Sequence, residues 1–91
     1  MRSLGYTITT EERHFLCRYD ITKDSSEITV DADFDKDILS CLYVKKLKDA
    51  NETKKALQSI HPNIKFWVIQ VFKDKGEFIP KPTAEEKPPW L

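Results

Sequence analysis

The chain has 91 residues, of which 40% are apolar and 33% charged, with only two glycines. That length makes one domain with a thin core. Fifteen basic and fifteen acidic residues cancel, which argues against a generic nucleic-acid binder, because such a protein needs excess cation to displace counterions.

The balance hides a gradient. Residues 1–40 carry 5 cations and 9 acids, residues 41–82 carry 9 cations and 4 acids, and residues 83–91 add a net −1. Such polarity can steer a charged partner, although an uneven solvated surface is the plainer reading. Cys17 and Cys41 lie in apolar surroundings, FLCRY and LSCLY, where free thiols behave as small hydrophobes. No basic-then-apolar leader follows Met1. The longest nearly apolar run, ILSCLYV, is far shorter than the roughly 20 residues a membrane span needs. The expectation is a cytoplasmic protein with no membrane contact and no cofactor.

In chain order, residues 4–10 alternate Leu4, Tyr6 and Ile8 with small or polar residues, a strand pattern. Residues 13–21 alternate again, with Phe15, Cys17, Tyr19 and Ile21 on one face and His14, Leu16, Arg18 and Asp20 on the other. TKDSS, 22–26, is turn chemistry. Residues 27–34 put Ile28, Val30, Ala32 and Phe34 on one face and Thr29, Asp31 and Asp33 on the other, with Asp35 continuing the acidic set. These two strands predict a hairpin whose partners sum to 49: Ile21 with Ile28, Tyr19 with Val30, Cys17 with Ala32, Phe15 with Phe34. That register sets Arg18 across from Asp31 and His14 across from Asp35. A one-residue slip would set apolar side chains across from aspartates.

ILSCLYVKKL, 38–47, is apolar all round on a helical wheel and reads as a strand covered on both sides, with a buried helix as the rival. Residues 48–62 read as a helix. Asp49 is its expected cap, Glu52 stands at capping-box spacing, Ala50, Thr53, Leu57 and Ile60 share one face, and Pro62 stops it. Residues 63–72 predict another strand, with Ile64, Phe66, Val68 and Phe72 against Trp67, Ile69 and Val71. Residues 38–72 then read as strand–helix–strand, implying a parallel pair joined by a right-handed crossover. Residues 73–78 are a turn. Residues 80–91 form an extended, Pro-rich tail beyond a 1–79 domain. The expected fold is α+β: a mostly antiparallel sheet with one main helix packed on it and an extended C-terminal arm.

VDADFDKD, 30–37, is the densest candidate site. A calcium loop fails, because positions six and twelve counted from Asp31 are Lys36 and Leu42 rather than Gly and Glu. Asp31, Asp33 and Asp35 recur about 7 Å apart along one strand face, a spacing that would suit a divalent-metal-dependent enzyme of nucleic-acid or phosphate-ester chemistry. No companion motif supports that chemistry, and the stretch also reads as the wet face of a strand or as a carboxylate row that imitates phosphates. His14, His61, Cys17 and Cys41 supply zinc-binding atoms at the wrong spacing, and no metal site is expected. Lys45, Lys46, Lys48, Lys54 and Lys55 form a basic patch, a candidate nucleic-acid contact or an exposed helix face. Trp90 and Leu91, after two prolines, could anchor a partner or lie back over the sheet. The expected function is a small non-catalytic interaction or regulatory module, of the accessory kind that phages and mobile elements carry. Its partner would be another protein, held through the acidic face, the Trp90–Leu91 arm or a free sheet edge. A homodimer is a natural outcome.

Overall fold

The computed structural model describes residues 1–84 and 86–91; Glu85, within the expected tail, lies outside the described residues. Five strands, β1 (Arg2–Thr10), β2 (Phe15–Asp24), β3 (Glu27–Asp35), β4 (Phe66–Asp74) and β5 (Glu77–Pro82), form one antiparallel sheet in the order β3-β2-β1-β4-β5. One helix, α1 (Leu47–Ile60), packs on it. The α+β class with a mostly antiparallel sheet is as the sequence predicts.

Both faces of the sheet are covered. On the helix side, Ile8, Leu16, Phe66 and Val68 meet Ala50 and Leu57 of α1. On the opposite side, Phe15, Ile69, Val71 and Cys41 are overlaid by Ile38 and Tyr43 of the β3–α1 connection and by Trp90 and Leu91 of the tail. The tail therefore docks on its own chain. Trp90 lies edge-on to Phe15 at 5.6 Å, and its indole N–H donates to the Thr10 carbonyl at 3.0 Å. The Arg13 guanidinium sits over both rings, and Lys65 pairs with Glu86.

The hairpin register departs from the expected one. Ile21 faces Val30 and Tyr19 faces Ala32, two residues along from the expected partners, so the faces beyond the bulge are kept. Arg18 stands across from Asp33 rather than Asp31. Between Leu16 and Arg18 the register shifts, and Cys17 is left without a cross-strand partner. This β-bulge flips everything before it. Leu16 faces Phe34 in the helix-side core, and Phe15 faces Asp35 and turns to the tail side. Phe15 and Phe34 are thus on opposite faces, not paired, and Phe15 rather than His14 is across from Asp35. A second shift between Ser3 and Gly5 does the same in β1, so Leu4 packs on the tail side while Tyr6 and Ile8 pack under the helix.

Residues 38–47 are neither a full strand nor a helix. Ile38–Ser40 make one 3-10 turn, capped by the Asp37 side chain, and the chain then runs extended to α1. Its link to the sheet is a single antiparallel bridge, Tyr6↔Val44, with hydrogen bonds of 2.8 and 2.9 Å, plus Leu42 N–H to the Leu16 carbonyl at 2.7 Å. The expected parallel crossover pair is therefore not formed; β4 pairs with β1, antiparallel. The bridge has a clear cause. β1 and β2 meet at Thr9↔Phe15 and part at the bulge. The backbone groups so exposed need partners, and residues 42–44 supply them.

Two further boundaries differ. The helix starts at Leu47 with Lys46 at the cap position, so Asp49 sits in the first turn, where its charge still favours the helix dipole, rather than capping it. Pro80 and Pro82, read as tail, belong to β5, an edge strand where a missing N–H is tolerated. The β4–β5 turn places Lys75 and Gly76 at φ 50° and 81°, the two-positive-φ pattern of a tight hairpin.

Candidate functional site

Beyond the bulge, β2 and β3 leave the body as a two-stranded ribbon. Among the described residues, Arg18–Asp24 and Glu27–Asp33 have only each other as strand partners. Every residue from Asp20 to Thr29 is exposed. Strand residues advance about 3.4 Å each, so the seven of 18–24 reach roughly 20 Å; the molecule is correspondingly long, 47 × 22 × 22 Å. Its tip is a two-residue turn at Ser25–Ser26, where the Asp24 carboxylate accepts the Ser25 N–H. The strands therefore zip further than the expected 22–26 turn would allow.

The ribbon has two unlike faces. The helix-side face continues the core pattern past the end of the core: Val30 and Tyr19 still touch it, while Ile21 and Ile28 are 48% and 68% exposed. The opposite face is charged. Asp31 and Asp33 point outward as the alternation predicts, together with Asp20. The Arg18 guanidinium lies among them, donating to Asp33 at 2.7 Å and Asp20 at 2.8 Å, with Asp31 at 3.5 Å. Its hydrogen bonds to the Asp33 and Asp20 carboxylates hold Arg18 still more firmly in its charged form. Asp35 shares the face but serves the backbone, accepting the Asp37 N–H at 2.8 Å. An internal cation thus occupies the centre of the expected acidic site. Among the described residues no three His, Cys, Asp or Glu side chains are placed to hold a metal ion.

Residues 18–35 hold two cations, Arg18 and Lys23, and six carboxylates, a net charge of −4. The basic patch lies elsewhere. Lys45 and Lys46 precede α1 and Lys48 and Lys55 lie on its exposed side, with Lys54 half-buried. The structure does not bring these lysines to the acidic face. Trp90 and Leu91, the other expected contact residues, are engaged with the body.

A cleft that the sequence reading missed opens at the other end of the helix. It holds about 420 Å³ between the β1–β2 loop, with Glu11, Glu12 and His14, and the α1–β4 loop, with His61, Asn63 and Lys65. Phe34 and Phe66 stack at 5.7 Å on its floor. Gln58 ties the second loop by donating to the carbonyls of His61 and Ile64, and Thr9 and Thr10 tie the first through His14. The two histidines come from loops 47 positions apart in the chain, and no local motif links them, so no sequence pattern signals this meeting.

Cys17 and Cys41 are free thiols far apart in role. Cys17, the bulge residue, donates to the Asp33 carbonyl at 3.3 Å. Cys41 is buried, and burial pushes its thiol up. Near it Tyr43 is also raised, chiefly by burial. Among the described residues no helix is long and apolar enough to cross a membrane. No known protein family, curated protein or solved structure matches the chain.

Proposed function

We propose that this chain is a non-catalytic binding module that engages another protein through the β2–β3 ribbon. One observation carries the reading: an apolar strip, Ile21 and Ile28, stands in solvent at the end of a ribbon that has no further strand on either side among the described residues. A two-stranded hairpin without a third partner is marginal in water. Exposed strand edges and exposed branched aliphatics are liabilities unless they serve pairing. A ribbon of this kind gains backbone hydrogen bonds and apolar burial when a partner adds to it. The guanidinium already seated among Asp20, Asp31 and Asp33 favours this role over metal chemistry at the same carboxylates. The role is accessory or regulatory, and the free thiols suit the reducing cytoplasm.

Selection from a displayed random-peptide library tests this. The native chain is the target and the Ile21→Ser/Ile28→Ser variant the counter-target. Selected peptides are expected to bind the native chain and lose the variant. Peptides that bind both equally, with amide shifts confined to the cleft or α1, would contradict the proposal.

A further inference from the structure

The two edges of the sheet are not equivalent. β5 carries Pro80 and Pro82, which have no N–H to offer, so its outer edge is blunted. β3 has nine residues with neither proline nor glycine, and among the described residues no strand pairs with its outer edge. Of the two outermost strands, β3 is therefore the one suited to strand addition, and its free edge carries more of the ribbon's carboxylates than the short free stretch of β2.

A second copy of this chain is a poor occupant. Pairing β3 antiparallel to itself about Asp31 would set Asp31 against Asp31, Thr29 against Asp33 and Glu27 against Asp35. Shifting by two sets Asp31 against Asp33, or Glu27 against Asp33. Shifting by one sets Ile28, Val30 or Ala32 against carboxylates. Like charges directly across a ladder destabilise it, and Arg18 is the one guanidinium shared among three carboxylates. The acids act as a guard against self-pairing.

The same pattern defines what does fit. One side of β3 offers Glu27, Asp31, Asp33 and Asp35, and the other offers Ile28, Val30 and Phe34. We infer that the open edge of β3 takes up an extended segment of another protein in which lysine or arginine alternates with apolar side chains. The cations lie against the carboxylate row, the apolar side chains extend the strip of Ile28 and Val30, and the ladder hydrogen bonds fix the segment. Opposite-charge neighbours at cross-strand distance add to that ladder and set its register. This partner assignment rests on the ribbon being the binding element.

The test uses the full chain, 15N-labelled, with two short synthetic peptides, one alternating lysine and valine, the other glutamate and valine. The lysine–valine peptide is expected to shift the amides of β3 saturably, with an affinity that falls as salt rises. The Asp31→Asn/Asp33→Asn variant, altered only at exposed positions, should bind it about tenfold more weakly. The glutamate–valine peptide should leave β3 unmoved. Equal binding of both peptides at Ile21 and Ile28 would overturn the charge assignment and leave the ribbon as the binding element. Concentration-dependent dimerisation with shifts along β3 would overturn it in favour of a second copy. No ribbon shift with either peptide overturns it as well, and library peptides that bind only elsewhere would then remove the ribbon reading too.

Discussion

Leu16 stands across the β2–β3 ladder from Phe34, although simple alternation assigns it to the charged face. The bulge at Cys17 makes the difference. It reverses the parity of the residues before it, so that Leu16 joins Tyr19 in the helix-side core and Phe15 joins the core on the opposite face. It also marks where β2 leaves β1 and the ribbon begins.

Leu16 is buried under the helix, so Leu16→Ala should cost roughly 2–5 kcal/mol in urea unfolding. Deleting Cys17 should be far milder. Leu16 would still face Phe34 and Arg18 would still face Asp33, now in an unbroken ladder. Cross-strand NOEs between those pairs in the deletion variant check this; a register shifted by one would contradict it.

How far the sequence announced this fold depends on the element. Strand and helix periods, a turn somewhere within 22–26 and the stop at Pro62 follow from local chemistry and were legible, while how far the strands zip towards 25–26 was not. The bulges were not, because a bulge answers a tertiary need. A single misfit hinted at one: Leu16, an apolar residue between His14 and Arg18 on the wet parity. The all-round apolar pattern of 38–47 has a similar origin. That segment passes from one sheet face to the other, with Ile38, Cys41 and Tyr43 under the tail and Val44 against the helix-side core. A helical wheel assumes one environment and such a crossing has two. The outward acids of the ribbon were legible, while the guanidinium among them was expected at only one. The cleft joins residues too far apart in the chain for any spacing to reveal.

Gly5 explains how residues 43–44 reach β1. Its φ is +130°, and a Cβ there would lie 2.6 Å from the Val44 carbonyl oxygen. Gly5→Ala is therefore strained in backbone and blocked by backbone, and should lose about 1–3 kcal/mol. Urea unfolding measures it. An unchanged midpoint would show that the Tyr6↔Val44 bridge is dispensable.

The tail is held by aromatic contact more than by charge. Trp90→Ala removes the edge-on contact with Phe15 and the hydrogen bond to Thr10, and should cost about 2 kcal/mol. Thermal or urea unfolding reads the loss. A variant as stable as the native chain would mean that Trp90 rests on the body without supporting it.

The Lys65–Glu86 pair gives the tail a mild acid sensitivity. Hydrogen bonding from Lys65 lowers the Glu86 carboxyl from its ordinary 4.5. A depressed carboxyl contributes fully above that ordinary value, and its contribution is lost as pH falls through the depressed one. The fluorescence of Trp90, read in a Trp67→Phe background, should change only on acidification below pH 4.5, and Lys65→Met should remove that step. Both residues are exposed, so the step is small.

The thiols should differ in reactivity. Cys17 is partly exposed, whereas Cys41 is buried with its thiolate disfavoured. Limited alkylation followed by mass spectrometry should find Cys17 modified first in the native chain, and both alike in denaturant. Earlier modification of Cys41 would contradict the packing of 38–44 against the tail side.

Amide hydrogen exchange with and without a library-selected peptide tests the binding role of the ribbon most directly. Unbound, residues 18–24 and 27–33 should exchange faster than β1 and β4, because they have no third strand and little core beneath them. Bound, the gain in protection should fall on those residues. Protection gained instead around His14 and His61, or along α1, with the ribbon unchanged, would contradict it.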